Sequence, residues 1–395
     1  MYSILLVIIY LAFISLGLPD SLMGSAWPVM HTELGVATSF AGLVTMVIAG
    51  GTIISSLLSD RLTRKFGAGL VTAVSVLMTA AALFGFATCS EFWMLCIWAV
   101  PYGLGAGAVD AALNNYVALH FKARHMSWLH CFWGIGASVS PYIMSYALTG
   151  GYGWSHGYRM VGGIQIALTA ILFISLPIWK RLKTENVSEE VHTEPLTLSK
   201  ALKIQGVPMI LISFFAYSAL ESTAGLWAST YLVQYRNVDV IVAAKFASLF
   251  YLGITFGRFL CGFVSEKLGD RILIRVGILT AVFGGVLICL PLSTNYLALA
   301  GLIIIGFGCA PIYPSIIHST PFNFGKENSQ AIIGIQMASA YTGSTFMPPL
   351  FGWLASVLGI GLYPFFLLLF AGLMIVMSER LNTIMRQKGT TNNAI

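Results

Sequence analysis

Three acids stand inside stretches otherwise almost free of charge: Asp20 in LGLPDSLMGSAWP, Asp110 in PYGLGAGAVDAALNN and Glu221 in FAYSALESTAGLWASTYL. Inserting a carboxylate at the middle of an apolar helix costs on the order of 3 kcal/mol, so such an acid faces a cavity or a partner. Carboxylates withdrawn from water can take up and release protons near neutral pH, which suits them to couple proton movement to another event. Around them stand groups that read hydroxyls. Asn114 follows Asp110 by one helical turn with Asn115 beside it, His130 and Trp133 stand a turn apart in WLHCFWGIGASVSPY, and Gln336 lies further on. Trp27, Trp133, Trp227 and Tyr313 add flat apolar faces of the kind that cover a ring-shaped solute.

Each of these residues also has a structural reading. Asp20 can be satisfied by Ser21 or by backbone freed at Pro19 and Gly24, and Glu221 can bridge two helices. His130 can be a hydrogen-bonded anchor, and a buried Gln336 can simply tie helices together. The histidines 120, 125 and 130 are five apart, which suits no single metal face, and no nucleophile stands with an oriented base. Neither a metal site nor an enzyme is expected. The run from Gly103 to Ala108 mimics a dinucleotide fingerprint but sits in a long apolar helix with no strand before it.

The elements that hold these residues are set by composition. With 57% hydrophobic and 9% charged residues and a mean hydropathy of +0.83, the chain is predicted to be all-α and embedded in a lipid bilayer. Windows of about 19 residues give twelve spans, roughly 2–30, 37–58, 68–88, 92–119, 127–149, 159–179, 205–235, 241–264, 272–292, 295–318, 328–352 and 359–378. The predicted organisation is a six-helix bundle over 1–179, a cytoplasmic linker over 180–204, a second six-helix bundle over 205–378 and a cytoplasmic tail over 379–395. With both termini inside, all 21 Lys and Arg fall on the cytoplasmic side except Arg159, Arg236, Lys245 and Arg258. Topology therefore explains the net charge of +6 without a nucleic-acid partner. The first span reads as a retained helix, the six cysteines read as core packing without zinc spacing, and the sequon at Asn186 lies in a loop placed inside. A monomer in the plasma (inner) membrane is expected.

A charged turn over 56–67, SLLSDRLTRKFG, returns about half a chain later as GFVSEKLGDR over 262–271. Both resemble the loop Gly-x-Leu-Ala-Asp-Arg-x-Gly-Arg-Lys of the major facilitator superfamily, although Ser56 and Thr63 replace glycines and Glu266 replaces the aspartate. The resemblance covers the whole chain and implies two pseudo-symmetric bundles, a solute bound at mid-membrane and alternating access by rocking. It also implies no cofactor. Within the superfamily the chain looks most like the fucose permease branch of sugar and proton symporters, which has acids on helices 1 and 4, matched by Asp20 and Asp110, and a His-x-x-aromatic-Gly-x-Gly run, matched by His130 to Gly136. It departs in having Asp110 for a glutamate and in the added Glu221.

The expected activity is symport of a small neutral solute, a sugar above all, with protons. Asp20, Asp110 and Glu221 would carry the proton, and Asp20, Trp27, Asn114, Asn115, His130, Trp133, Glu221, Trp227, Tyr313 and Gln336 would contact the solute. Asp60, Arg61 and Arg64, with Glu266 and Arg271, would clamp the cytoplasmic ends as gates. Neutrality is argued from Arg159 and Arg258, read as lying near helix ends, which leaves no cation at the midplane for an anionic ligand. An organic cation would also satisfy the acids and aromatics. Sodium is the alternative coupling ion. A proton-driven exporter of drugs or metabolites is the rival activity, set back by the missing arginine early in the fourth span and by Ser140 in place of a signature glycine. A receptor is set back by the want of any soluble domain.

The topology gives a prediction. A single cysteine at Ser188 should stay unreactive toward an impermeant thiol reagent added to intact cells and react once the membrane is permeabilised; labelling from outside would reverse the orientation.

Overall fold

The computed structural model describes residues 2–185, 196–291 and 295–392, and these are helical from end to end apart from short connections. The helices are α1 Tyr2–Asp20, α2 Leu22–Glu33, α3 Ala41–Phe66, α4 Ala68–Ala87, α5 Phe92–His120, α6 Ala123–Thr149 and α7 Trp154–Glu185. They continue with α8 Leu198–Lys203, α9 Val207–Gln234, α10 Val240–Leu268, α11 Asp270–Cys289, α12 Tyr296–Phe324, α13 Lys326–Leu358 and α14 Tyr363–Asn392. With α1 and α2 taken as one interrupted segment, 10 of these segments have the length and composition to cross a membrane. The two other long helices, α6 and α13, are diluted by polar residues such as His130, Ser140, Gln330 and Gln336, all of them buried. The last helix runs on to Asn392, past the point where hydropathy alone separates a tail. Residues 180–185 extend α7, and α8 occupies part of the expected linker. The rest of that linker, 186–195, with the sequon and Ser188, lies outside the described residues.

The chain divides into two units, one of residues 1–116 with 129–196, the other of 117–128 with 197–395. The turn 117–128, which the sequence reading keeps with the first bundle, groups with the second.

In the first unit, apolar side chains of α1 to α7 interlock around Leu22, Trp27, Phe86, Tyr102 and Tyr158. Small residues decide how closely the helices approach. On α5, the carbonyls of Gly103 and Gly107 accept from Ser55 Oγ at 3.5 Å and Ser56 Oγ at 3.2 Å on α3. Between α1 and α6 the approach is as close, because a Cβ on Gly17 would run into the Trp133 carbonyl and one on Gly136 into that of Ile14. That contact sets the distance between Asp20 at the end of α1 and Trp133 on α6.

In the second unit, α11 packs along α12, and α9 along α13 and α14. Its links repeat those of the first. Gly67 joins α3 to α4 at φ 79° and ψ 152°, and Gly269 joins α10 to α11 at φ 74° and ψ 158°. Only glycine adopts this conformation cheaply, so the repeated charged motif has kept its single-residue turn while most of the surrounding sequence has diverged.

The α1–α6 contact yields a prediction. Gly17→Ala should destabilise the protein by about 1–3 kcal/mol, because the methyl group lands on backbone that cannot step aside. Gly24→Ala should be neutral, since nothing lies within 4 Å of its added Cβ. Thermal unfolding of both variants in detergent checks this; equal midpoints would contradict the close contact.

Candidate functional site

Asp20 closes α1, and the helix is interrupted at Ser21 before α2 resumes. Its Oδ2 accepts a hydrogen bond from Trp133 Nε1 at 2.9 Å, and its Oδ1 one from Tyr102 Oη–H at 3.2 Å. The acid has no ion-pair partner among the described residues and is solvent-accessible, although Tyr102 is buried behind it. Two helices, α5 and α6, thus supply the carboxylate at the end of α1 with neutral donors and leave lone pairs free for a ligand. Tyr102 was not among the expected site residues. The available signal was its place on the helix of Asp110, in the PYGLG run beside Pro101.

Deeper in the unit, Asp110 is 8% exposed and Asn114 fully buried. Asn114 Nδ2 donates to Asp110 Oδ1 at 2.8 Å and to the Asp110 carbonyl at 3.0 Å. Its Oδ1 then faces His130 Nε2 at 3.0 Å. Because the amide nitrogen is committed to the carboxylate, the amide oxygen is what meets the ring, and Nε2 must carry the hydrogen. The ring is held edge-on to Phe13, with centroids 5.4 Å apart. Asn115 is buried next to this relay. The structure therefore brings Asp20 and Trp133 together, and links Asp110, Asn114 and His130 in one chain of hydrogen bonds.

Trp27 does not join them. It is buried in the apolar cluster and its Nε1 donates to the Thr38 carbonyl at 2.7 Å, so the ring anchors α2 to the start of the next span.

The second unit has its own polar centre, and here the sequence reading needs correcting. Arg258 does not lie at a helix end facing water; it is 4% exposed, well inside α10, with Nη2 at 3.5 Å from Glu221 Oε1 on α9. The same nitrogen donates to Tyr217 Oη at 3.3 Å. The guanidinium also stands 5.9 Å from the Tyr313 ring centroid, a cation-π contact. A buried arginine needs an acid, and Glu221 supplies it. Tyr313 Oη reaches Met337 Sδ at 3.2 Å. Trp227, like Trp27, is spent on backbone, donating to the Pro348 carbonyl at 3.0 Å. Gln336 is fully buried; its Oε1 accepts from Thr320 Oγ1 at 3.1 Å, and its Nε2 has no hydrogen-bond partner among the described residues.

Of the two ion pairs expected at the cytoplasmic ends, one is present. Asp60 pairs with Arg64 at 2.8 Å within α3, while Arg61 is exposed. Asp60 stands in the last turns of α3 and Glu266 in the last turn of α10, so a helix N-terminus supports neither. Glu266 does not pair with Arg271. Its partners are Arg124 at 2.7 Å and Lys122 at 3.3 Å, from the 117–128 turn of the same unit. The glycine link at Gly269 carries Arg271 onto the next helix, and the neighbouring Asp270 is taken by His318 Nδ1 at 2.7 Å.

Comparison with known proteins is consistent with this architecture. The family model of the Major Facilitator Superfamily matches residues 9–321 and 210–381. The glucose/mannose transporter GlcP of Bacillus subtilis is 22% identical over 360 residues, which are 87% of this chain and 86% of that one. Bypass of stop codon protein 6 of Saccharomyces cerevisiae is 24% identical over 65% of this chain, which spans 56% of the yeast protein. Among solved structures, the transporter FucP in its outward conformation superposes with a TM-score of 0.76 at 15% identity, covering 96% of this chain and 98% of the other. At that identity the likeness shows the fold.

The buried pair of the second unit yields a prediction. Glu221→Gln should destabilise the protein by about 3 kcal/mol by leaving Arg258 uncompensated. The double variant Glu221→Gln with Arg258→Gln should recover part of that loss. Thermal unfolding of the three variants forms a double-mutant cycle, and additive losses would mean that the two residues do not depend on each other.

Proposed function

This chain belongs to the major facilitator superfamily, and from that premise we propose that it is a secondary active transporter that carries a small neutral solute, a monosaccharide above all, together with protons. A transporter of this family is a multi-pass membrane protein that needs no cofactor. The plasma membrane is the expected location, with both termini in the cytoplasm.

The observation that carries the reading is the pair of acids in the first unit. Asp20 is held in place by Trp133 and Tyr102 yet keeps lone pairs free. Vicinal hydroxyls of a sugar fit those lone pairs, and the half-buried indole of Trp133 offers a face to the ring. Asp110 holds the proton. When it is ionised it fixes the Asn114 amide as described above. When it is protonated it can donate to Asn114 Oδ1; the amide turns over, and His130 then meets an NH2 group where it met an oxygen. The charge state of Asp110 is thereby read out on α6, the helix that also carries Trp133. Neutralising the acid lowers the cost of reorienting the carrier through a low-dielectric barrier. Entry of each proton is driven by about 2.3 kcal/mol per 100 mV of membrane potential.

Neutrality of the solute now rests on different grounds. Arg258 is a buried cation, but Glu221 compensates it, so an anion gains nothing there without breaking the pair. Two of the similar proteins suit the sugar reading: GlcP is described as a glucose/mannose transporter, and the fold neighbour FucP of E. coli as a fucose:proton symporter, while others are described as a quinolone resistance protein and a cis,cis-muconate transport protein. Sodium in place of the proton, and export in place of uptake, are the outcomes that would displace this proposal.

In proteoliposomes, Asp110→Asn should keep sugar exchange at equilibrium within about twofold and lose accumulation driven by an imposed pH gradient. A variant that still concentrates sugar against its gradient would make Asp110 structural.

A further inference from the structure

Of the four basic residues expected away from the cytoplasmic side, two are spent on structure: Arg258 is paired with Glu221, and Arg236 donates to the carbonyls of Ile288 and Leu290. Arg159 is not. It is exposed on the second turn of α7, with no hydrogen bond or ion pair among the described residues. It lines an open cavity of the first unit, about 440 Å³ in volume, together with Glu33, Thr88, Trp154 and Ser155. That volume falls among those of small-ligand sites, roughly 300–1,000 Å³.

Glu33 lines the same cavity, yet the two opposite charges do not pair, so their nitrogen and oxygen atoms stand more than 4.0 Å apart. The acid is fixed by another group. Trp154 Nε1 donates to Glu33 Oε2 at 2.6 Å, and that indole is buried edge-on to Tyr158, with centroids 6.1 Å apart. Oε1 of Glu33 keeps its lone pairs, and the Arg159 guanidinium keeps its N–H groups. A ligand that joins them must carry an anion and a cation of its own. Phosphate suits the planar fork of the guanidinium, and an ammonium group suits the carboxylate.

Depth selects the source of such a zwitterion. The cavity is built from the end of α2, the end of α4 with the link after it, and the first turns of α7. Trp93 and Tyr152, 58% and 56% exposed, stand at the same helix ends, where aromatic rings mark the boundary between hydrocarbon and headgroups. A phospholipid headgroup is therefore at hand.

We propose that this cavity binds the headgroup of phosphatidylethanolamine, with the phosphate on Arg159 and the ammonium on Oε1 of Glu33. The Ser155 hydroxyl, which has no hydrogen bond among the described residues, is a further donor to the phosphate. The choice of ethanolamine follows from Glu33. An ammonium group donates N–H to a carboxylate, whereas the trimethylammonium of phosphatidylcholine has none to give, and phosphatidylglycerol brings no cation at all. The cavity shares no residue with the proposed solute site, so the inference stands or falls on lipid binding alone.

The test uses the full chain purified in detergent, with phosphatidylethanolamine, phosphatidylcholine, phosphatidylglycerol and free phosphoethanolamine as probes. Native mass spectrometry should show phosphatidylethanolamine retained in preference to both other lipids, and it should raise the thermal midpoint. A net charge of +6 acting alone would favour phosphatidylglycerol instead. Arg159→Gln should weaken retention of phosphatidylethanolamine about fivefold or more, whereas Lys245→Gln, an exposed basic residue of the second unit, should not change it. Glu33→Gln keeps an acceptor for Trp154 and should erase the preference over phosphatidylcholine. Equal losses in the Arg159 and Lys245 variants would reduce the effect to surface charge and overturn the site, as would a preference that survives Glu33→Gln. Phosphoethanolamine that displaces the lipid at equal concentration would make the occupant a free zwitterion and overturn the lipid assignment.

Discussion

A carboxylate within an apolar bundle is tolerated only while donors or cations surround it, and the first unit is arranged around that demand. Asp20 draws one donor from α5 and one from α6 while itself ending α1. For those three helices to reach one carboxylate, α1 and α6 must run almost in backbone contact, which Gly17 and Gly136 permit. The interruption at Ser21 follows from the same requirement. Pro19 and Asp20 end the regular ladder where the acid needs freedom to meet its donors, and α2 then resumes on nearly the same course, with Ser25 Oγ bonded to the Ser21 carbonyl at 2.8 Å. Packing, helix interruption and the candidate site therefore all meet at one carboxylate set inside an apolar bundle.

The two units answer the problem of a membrane-embedded acid in opposite ways. In the first, neutral N–H and O–H donors hold Asp20, and an amide holds Asp110, so a proton can come and go without stranding an opposite charge. In the second, Glu221 faces Arg258, and protonating the acid would leave a buried guanidinium uncompensated. The first arrangement suits a group that titrates during a cycle; the second suits a fixed electrostatic tie between α9 and α10. In the proposed scheme this contrast favours Asp20 and Asp110 as the proton carriers over Glu221, which looked equivalent when only its position in the repeat was considered.

Much of the fold was legible in the sequence because membrane spans are written in composition: ten segments satisfy length and hydropathy outright. The repeated charged turn was legible too, since the glycine of each copy has to take the same left-handed conformation. What escaped was pairing across helices distant in sequence. Arg258 reads as a misplaced cation until α9 brings Glu221 to it. Glu266 reads as the partner of a nearby arginine until the 117–128 turn delivers Arg124 and Lys122. Tryptophans were over-read for the same reason: an indole N–H needs an acceptor, and for Trp27 and Trp227 that acceptor is a backbone carbonyl at 2.7 and 3.0 Å, while for Trp133 it is Asp20. Residue type alone does not separate these cases.

The central claim, that the acids of the first unit couple proton entry to the entry of a neutral sugar, is tested most directly by watching the proton itself. Vesicles containing the protein are suspended in weakly buffered, sodium-free medium, a candidate sugar is added without any imposed gradient, and the external pH is followed. Coupled entry predicts alkalinisation of the medium that scales with the sugar taken up and vanishes when the membrane is made permeable to protons. Sugar uptake with no pH change, or uptake that appears only when sodium is supplied, would contradict it.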